Sequence, residues 1–377
     1  MKLGKLCILF TDGDWIESKD QSDSGIRLIQ TGNIGNGEFL YKNDKAKYIS
    51  VDTFKRLNCK EVFPNDILVS RLPEPVGRGC IIPDIGEKMI TAVDCTICRI
   101  NENLVDRKYF CYFLESNAYK TQLEQHVTGT TRKRISRKNL SSVEIDIPEQ
   151  AKQKEVVYKL DRLKKIIQNY NRELDLLDEL VRARFVEMFG DPNYNPKGYK
   201  KDIIKDHIDL LSGYPFKSEN YVDSGINICG GLVIMPQKIK WEECVHWKSA
   251  IGYENYLLNN NDIVMALDRP WISEGFKIAK VDSKHLPALL IQRTVRIRSI
   301  DMNQDYLYYC FICGGFNKHC NVTGSLVPHI SSKDIKSFEV MLPPLELQNQ
   351  FASFVQEIDK SRLLSNHSLF LIKSLIF

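Results

Sequence analysis

The sequence repeats itself once, about 200 residues further along, and this duplication limits the possible folds more than any other feature. Residues 23–26 (Asp-Ser-Gly-Ile) return as residues 223–226, and Gly13 and Gly213 stand ten residues before the two copies. Later matches follow in the same order, at offsets that fall to 195. They are 65–67 with 261–263, 128–129 with 323–324, 135–136 with 330–331, Pro148 with Pro343, and Gln153 with Gln348. This period exceeds the roughly 20–50 residues of a solenoid unit, so we expect a duplicated domain.

Composition is compatible with two ordinary globular domains. The chain has 377 residues, of which 43% are hydrophobic and 27% charged, and domains commonly span about 100–200 residues. The net charge of +4 neither requires nor excludes a nucleic-acid partner, because binding depends on where the charge lies.

The sequence contains neither a membrane-spanning run of about 18 apolar residues nor a signal-peptide pattern at its start. Its 11 cysteines follow no disulfide framework, which is typical of a reducing compartment. We therefore expect a cytoplasmic protein.

Each copy begins with a mixed α/β part. Short β-rich runs are separated by Gly, Asn, Asp and Pro, which predicts strands and turns; in the first copy they are 26–30, 66–70, 89–93 and 95–100. A helix is predicted over 107–125, and the apolar–acidic alternation of 143–147 predicts a half-buried strand.

A long helix is predicted after each mixed part. From Val156 the apolar positions advance in steps of four and three, an unbroken heptad seam: Val156, Leu160, Leu163, Ile167, Tyr170, Leu174, Leu177 and Val181. Gly190 and Pro192 provide stop signals. The matching seam of the second copy is Phe351, Val355, Ile358, Leu369 and Ile372, interrupted by Arg362 and Ser365. We expect the two helices to pair as an antiparallel coiled coil; the alternative is that each packs on its own domain.

Several segments resemble, in type and order, the specificity subunits of type I restriction-modification systems. In the first half these are 25–34, 128–129, 135–136, 147–148 with Gln153, and 185–192. The second half matches through Gly324, 330–331, 342–344 and Gln348. The resemblance extends over essentially the whole chain.

This resemblance implies an α+β protein in which two mixed α/β target-recognition domains are each followed by a long helix. The implied boundaries are 1–147 for the first recognition domain, 148–192 for the first helical region, 193–342 for the second recognition domain and 343–377 for the second helical region. Each recognition domain would read one half of a split site in double-stranded DNA. The helices would space the halves and bind two methyltransferase subunits, and motor-nuclease subunits would complete the restriction complex. The chain itself would hold no cofactor, because S-adenosylmethionine, ATP and Mg²⁺ are used by those partners.

Local charge indicates where DNA would be contacted. Five of the seven residues in 132–138 are cationic and follow Gly and hydroxyl residues that permit close approach to phosphates; the alternative is a solvated basic turn. The candidate phosphate contacts are Thr128, Thr130, Arg132, Lys133, Arg134 and Lys138, with Thr323, Ser325 and His329 in the second copy. Arginine is the commonest reader of guanine. Further candidates are Arg71 and Arg78 around 73–77, and Arg269, Trp271 and Lys277 in the matching loop, for each of which a core or ion-pair role is equally open.

Catalytic signatures are absent from the sequence. It has no P-loop, no Gly-x-Gly-x-x-Gly after a strand and no amino-methyltransferase tetrapeptide. Cys310, Cys313, His319 and Cys320 offer four possible zinc ligands, but their aromatic, helical surroundings favour a core role, and no metal is expected. We therefore expect a non-catalytic subunit; the alternatives are a coiled-coil adaptor that binds only proteins, and a fused methyltransferase or nuclease.

Overall fold

The chain divides into two units, each containing one copy of the repeat. In the computed structural model, which describes residues 1–129, 133–320 and 329–376, one unit comprises Met1–Asn169 with Leu369–Phe377 and the other comprises Tyr170–Ser368. The division falls within the long helices. The domain boundaries expected from the sequence therefore remain predictions.

In the first copy, called module 1, the described residues form nine strands and four helices, and a long helix follows. Its strands are β1 Cys7–Asp12, β2 Gln21–Ser22, β3 Ile26–Ile29, β4 Tyr48–Ile49, β5 Glu61–Val62, β6 Ile67–Ser70, β7 Gly79–Ile81, β8 Met89–Thr91 and β9 Cys95–Ile100. Its helices are α1 Val51–Arg56, α2 Arg107–Glu115, α3 Asn117–Glu124 and α4 Arg137–Ser142, and the long helix is α5 Gln150–Phe189.

The second copy, module 2, has the same plan with additional short strands. Its strands are β10 Lys201–Ile203, β11 Ile208–Ser212, β12 Ile226–Cys229, β13 Ile234–Met235, β14 Lys238–Ile239, β15 Val245–Trp247, β16 Ile263–Ala266, β17 Trp271–Ile272, β18 Gly275–Phe276, β19 Ile278–Lys280, β20 Ala288–Leu290, β21 Thr294–Ser299 and β22 Glu339–Met341. Its helices are α6 Gln304–Cys313, α7 Phe316–His319 and α8 Ser332–Lys336, followed by the long helix α9 Leu345–Ile376.

The sheets of the two modules share one topology. An antiparallel sheet has the order β1-β9-β6-β7 in module 1 and β11-β21-β16-β19 in module 2. A second sheet contains one parallel pair, β3 with β8 and β12 with β20. Equivalent strands thus occupy equivalent places, which confirms the α+β class and the duplication.

The repeated glycines mark places where two chain segments nearly touch. A Cβ atom on Gly13 would lie 2.2 Å from the carbonyl oxygen of Thr91, and one on Gly213 would lie 2.0 Å from that of Ile291. No side chain fits at such distances, so glycine recurs there for a steric reason.

Each module contains the same buried ion pair. The guanidinium of Arg99 contacts both carboxylate oxygens of Asp66 at 2.8 Å, and Arg298 contacts Asp262 at 2.5 and 2.8 Å. Both aspartates are almost fully buried, and bidentate geometry makes such pairs strong and directional. The repeated Asn-Asp-Ile motif therefore has a structural role.

A buried glutamine attaches each long helix to its module. The Oε1 atom of Gln153 accepts the backbone N–H of Asp106, the N-cap of α2, at 2.7 Å, and its Nε2 atom donates to the carbonyl of Pro148 at 2.8 Å. Gln348 makes the same two contacts, with the N–H of Asn303 at 2.9 Å and with the proline carbonyl five residues earlier at 2.8 Å. The start of each helix is thereby fixed by hydrogen bonds.

The long helices pair in antiparallel orientation within the second unit. The hydroxyl of Ser365 donates to Glu173 at 3.1 Å, and the rings of Phe185 and Phe351 lie 5.5 Å apart. Residue numbers thus rise along α5 as they fall along α9, which confirms the expected pairing. The seam positions of α5 are half-buried from Val156 to Leu177 and buried at Val181, while on α9 Phe351, Val355 and Leu369 are buried and Ile358 and Ile372 half-buried.

The end of α5 is buried in the core of the second unit. Phe185 and Phe189 contact the ring of Tyr306 at 5.7 and 4.8 Å and are fully buried. Gly190 follows with a φ of +82°, the left-handed conformation that ends many helices. The segment 185–192 is therefore a core element.

Two local predictions were wrong in part. The helix expected over 107–125 is divided at Ser116, whose backbone is extended and whose hydroxyl accepts the N–H of Tyr119 to start α3. The strand expected over 143–147 forms only an isolated bridge between Glu144 and Lys2, because the partner backbone changes to a 3-10 helix at Leu3. Val143 and Ile145 are nevertheless buried, as the alternation predicts.

Among the described residues, no helix combines the length and apolarity needed to cross a membrane.

Replacing Gln153 by Leu should lower the free energy of unfolding by about 2–3 kcal/mol, because the N–H of Asp106 and the carbonyl of Pro148 lose their partner. Chemical unfolding followed by circular dichroism measures this loss. Gln168→Leu on the exposed face of the same helix is the matched control, expected within about 0.5 kcal/mol of the unchanged protein. Equal effects of the two substitutions would contradict the anchoring role.

Candidate nucleic-acid interface

A buried arginine organises one end of module 1. Arg78 is 8% exposed, and its guanidinium donates to the carbonyls of Ile34 at 2.7 Å and Thr31 at 2.8 Å. It also donates to the carbonyls of Leu72 at 3.0 Å and Pro75 at 2.9 Å. Burial lowers the pKa of this guanidinium. Arg78 thus ties the turn after β3 to the loop after β6.

Module 2 uses a lysine in the same place. Lys277, 7% exposed, donates to the carbonyl of Gly231, which is equivalent to Thr31 at the offset of 200. Burial, and then the charge of nearby Arg269, lower the pKa of this amine. Arg269 itself is exposed with a φ of +45°, so one predicted cation is internal and its neighbour faces solvent.

Arg71 is also directed inward. Its guanidinium donates to the carbonyl of Val93 at 2.6 Å and of Ile135 at 3.4 Å, and it lies 3.3 Å from the carboxylate of Asp12. A contact of Arg71 or Arg78 with DNA would require these buried hydrogen bonds to break. The geometry therefore favours a supporting role for both.

The predicted basic segment is anchored by one apolar residue. Ile135 is fully buried, and its N–H donates to the carbonyl of Arg71 at 3.2 Å. Lys133, Arg137 and Lys138 flank it, are exposed, and form no ion pair with any other described residue. This surface, called the edge of module 1, therefore offers cations that can bind an anionic partner.

Backbone pairing joins Thr128 to Arg134 of the basic segment. The N–H of Thr128 donates to the carbonyl of Arg134 at 2.9 Å, and the reverse bond measures 2.8 Å. The guanidinium of Arg134 lies 3.0 Å from the carboxylate of Asp94. The candidates Thr130 and Arg132 lie outside the described residues.

The matching edge of module 2 is organised around an acid. Nδ1 of His329 lies 2.7 Å from a carboxylate oxygen of Asp268, and Nε of Arg293 lies 3.8 Å from the other oxygen. The side chains of His329 and Arg293 are both partly exposed to solvent. The candidates Thr323 and Ser325 lie outside the described residues.

The charge is reversed between the two edges at one of two equivalent positions. Asp94 and Arg293 immediately precede β9 and β21, and Arg134 and His329 immediately precede the repeated Ile-Ser pair. An acid in module 1 is thus replaced by a base in module 2, where Asp268 becomes the acid. Sequence reasoning missed Asp94, Arg293 and Asp268; a comparison of the copies at these positions would have revealed the reversal.

Trp271 lies in the β17–β18 hairpin and is half-buried. Its indole stacks on the ring of Phe276, with centroids 5.0 Å apart and planes inclined by 17°. The structure therefore gives Trp271 an internal partner.

The described part of the chain has no group of three or more His, Cys, Asp or Glu side chains that could hold a metal ion. Cys310 is in the core, where burial raises its thiol pKa, and burial raises the pKa of Cys320 to about 12. His319 places Nε2 at 3.0 Å from the carbonyl of Asp334 and 3.1 Å from the hydroxyl of Ser337.

These features define a class of protein: a duplicated binding module whose copies share a buried scaffold, carry cations on one edge and are followed by paired helices. A family model describing the type I restriction modification DNA specificity domain matches residues 1–178 and again 203–372. The chain therefore belongs to this family, and it is a DNA specificity subunit of a type I restriction-modification system, a non-catalytic subunit.

Relatives agree over long alignments. The specificity subunit of type I restriction enzyme MjaVIII from Methanocaldococcus jannaschii is 24% identical over 324 residues, covering 81% of this chain and 75% of that protein. The EcoAI specificity subunit from Escherichia coli is 30% identical over 188 residues, covering 48% of this chain and 31% of that protein.

Solved structures support the fold. The S subunit of a type I restriction-modification system from M. genitalium superposes with a TM-score of 0.50 at 13% identity, covering 100% of this chain and 93% of that one. A chain from a structural study of type I system assembly and conformational transition gives a TM-score of 0.59 at 14% identity, covering 100% and 94%.

Replacing Arg78 by Met should lower the free energy of unfolding by about 3 kcal/mol, because four carbonyls lose their donor. Arg78→Lys should cost about half as much, since Lys277 supports the equivalent turn of module 2. Chemical unfolding measures both, with Arg137→Met at the exposed edge as the control, expected within about 0.5 kcal/mol. A fully stable Arg78→Met protein that had lost DNA affinity would instead assign Arg78 to DNA contact.

Proposed function

We propose that each module reads one half of a bipartite site in double-stranded DNA, and that the paired helices space the halves and dock two methyltransferase subunits. The observation that carries this proposal is the exposed set Lys133, Arg137 and Lys138, which form no ion pair with the residues that the structure describes. Cations held by a buried anchor neutralise phosphates and release counterions, the main source of sequence-independent affinity for DNA.

The differences between the edges support two distinct half-sites. The buried ion pairs and anchoring glutamines are the same in both modules, whereas Asp94 is replaced by Arg293 and Arg134 by His329. Phosphate contacts position a protein and base contacts specify the sequence. Two scaffolds of one shape with differently charged edges would bind DNA in one manner and prefer different bases.

The length of α5 supports the spacing role. Its 40 residues extend for about 60 Å at 1.5 Å per residue. This exceeds one turn of DNA, roughly 34–36 Å. The helix is therefore long enough to hold readers on separate turns.

Exposed leucines on the paired helices support docking of another subunit. Leu176 and Leu180 on α5, and Leu363 and Leu364 on α9, are all exposed, in the region where Asp178 of α5 pairs with Arg362 of α9. Apolar patches on otherwise polar surfaces mark protein contacts. We assign this region of the paired helices to the methyltransferase subunits, which would supply S-adenosylmethionine chemistry. Motor-nuclease subunits, using ATP and Mg²⁺, would join that assembly.

Replacing Lys133, Arg137 and Lys138 together by Ala should weaken binding to all DNA sequences. It should also make the slope of log K against log salt shallower by about 2–3, since each phosphate contact contributes about 0.9. Gel-shift titrations of the full chain over a salt series, with and without methyltransferase subunits, measure both quantities.

The matched control removes the same charge elsewhere: Lys154, Lys165 and Arg172, exposed on α5 and unpaired among the described residues, are replaced by Ala. This variant should keep the original slope. If the unchanged protein shows no salt-dependent DNA binding in either condition, the protein-only adaptor becomes the better description.

Replacing Leu363 and Leu364 by Glu should reduce recovery of co-expressed methyltransferase subunits at least tenfold, because two charges would enter an apolar contact. DNA binding by the full chain alone should not change. Co-purification quantifies the first effect, and Gln356→Glu with Asn366→Glu, at exposed polar positions of α9, is the control of equal charge. Equal recovery of the leucine variant and the control would exclude the region around Leu363 and Leu364 as the docking site.

A further inference from the structure

The turns after β3 and β12 share two backbone hydrogen bonds at equivalent positions. In module 1 the N–H of Asn33 donates to the carbonyl of Gln30 at 2.8 Å, and in module 2 the N–H of Val233 donates to that of Gly230 at 3.1 Å. We call 30–34 and 230–234 the tip turns. Their equivalence extends to the returning strand, where residue 40 donates to residue 33 at 2.8 Å and residue 240 to residue 233 at 2.9 Å.

The tip turns differ in the residue that faces solvent. At this constant offset Gly32 is equivalent to Leu232, and both are exposed. A Cβ on Gly32 would lie 3.5 Å from the Nζ atom of Lys42, so module 1 presents an amine beside a glycine. Leu232 is 90% exposed, so module 2 presents an isobutyl group.

Leu232 cannot withdraw into the protein. The next two residues, Val233 and Ile234, are buried, and the preceding carbonyl, of Gly231, is held by Lys277. The turn therefore fixes an apolar side chain in water, a cost that burial against a partner would remove.

The backbone of Arg293 lies beside the tip turn of module 2. A Cβ on Gly231 would lie 4.0 Å from the carbonyl of Arg293, whose side chain is largely exposed. Burial, and then the charge of the exposed Arg269, lower the pKa of Lys277, the residue that binds the carbonyl of this turn. An exposed apolar side chain in a region that also carries exposed arginines suits DNA, where base edges such as the thymine methyl are apolar and the phosphates beside them are anionic.

We propose that the tip-turn residue determines base preference in each module: Leu232, kept exposed by the turn whose Gly231 carbonyl binds Lys277, makes an apolar contact with a base of the second module's half-site. In module 1 Lys42 beside Gly32 offers a donor to guanine acceptors instead. This inference rests on the proposed reading of DNA by both modules.

Selection from a random duplex DNA library tests the inference, using the full chain with its co-expressed methyltransferase subunit. Leu232→Ala should lower affinity for the original site about tenfold, since an apolar side chain loses its contact, and should relax one half of the selected motif. Gly32→Leu, which meets only the end of a flexible lysine, should alter the other half. Ile300→Ala is the control, because Ile300 is an exposed apolar residue just beyond the opposite end of β21 from Arg293.

The outcomes separate this inference from the proposed function. If the unchanged protein selects no motif, the reading of DNA by the modules fails. If it selects a two-part motif that Leu232→Ala leaves intact, only the role of Leu232 fails. If Leu232→Ala does relax one half of the motif, replacing thymine by uracil in that half identifies the apolar partner. If uracil lowers the DNA affinity of the unchanged protein but not that of Leu232→Ala, the thymine methyl is the group that contacts Leu232. If uracil changes neither affinity, the contact is with the face of a base.

Discussion

The buried amides of Gln153 and Gln348 are the contacts on which the arrangement of each module and its helix depends. Apolar packing is non-directional, so a heptad seam alone would allow a helix to rotate or slide with little loss. An amide that spans a helix N-cap and a proline carbonyl permits one position, because displacement would leave buried polar groups without partners. The helix is thereby fixed to its module at its first turn, and the residues that pair with the other helix come later along the chain.

The same division between fixed interior and variable edge applies throughout the two modules. The carboxylate–guanidinium pair of Asp66 and the cation at Arg78 each have a counterpart in module 2, although the second is a lysine. The residues that differ lie at the surface of the modules: Arg293 takes the place of Asp94, and Leu232 takes the place of Gly32. Buried polar groups tolerate few substitutions, since each loss leaves an unpaired partner. Exposed positions are free to diverge, and a recognition surface needs that freedom.

The sequence predicted features that depend on spacing and missed those that depend on burial. The drifting offset revealed the duplication, and the heptad steps revealed α5, because both are linear patterns. The same reasoning left DNA contact and a core role equally open for Arg78, since a charge count does not distinguish a guanidinium enclosed by carbonyls from one in water. Leu232 was missed because it looks buried in the sequence: together with Val233 and Ile234 it forms an apolar run typical of a buried strand. Only the turn hydrogen bonds place it outside.

The interrupted seam of α9 follows from the same reasoning. Arg362 forms ion pairs with Asp178 of α5 and, at 2.6 Å, with Asp359 of its own helix, while Ser365 donates to Glu173 at 3.1 Å. Leucines at these positions would pack in several registers, since apolar contacts are interchangeable. A half-buried guanidinium has good partners in only one register, and polar residues at seam positions specify alignment at some cost in stability. The interruptions that weaken the apolar pattern therefore set the register of α5 against α9 within the second unit.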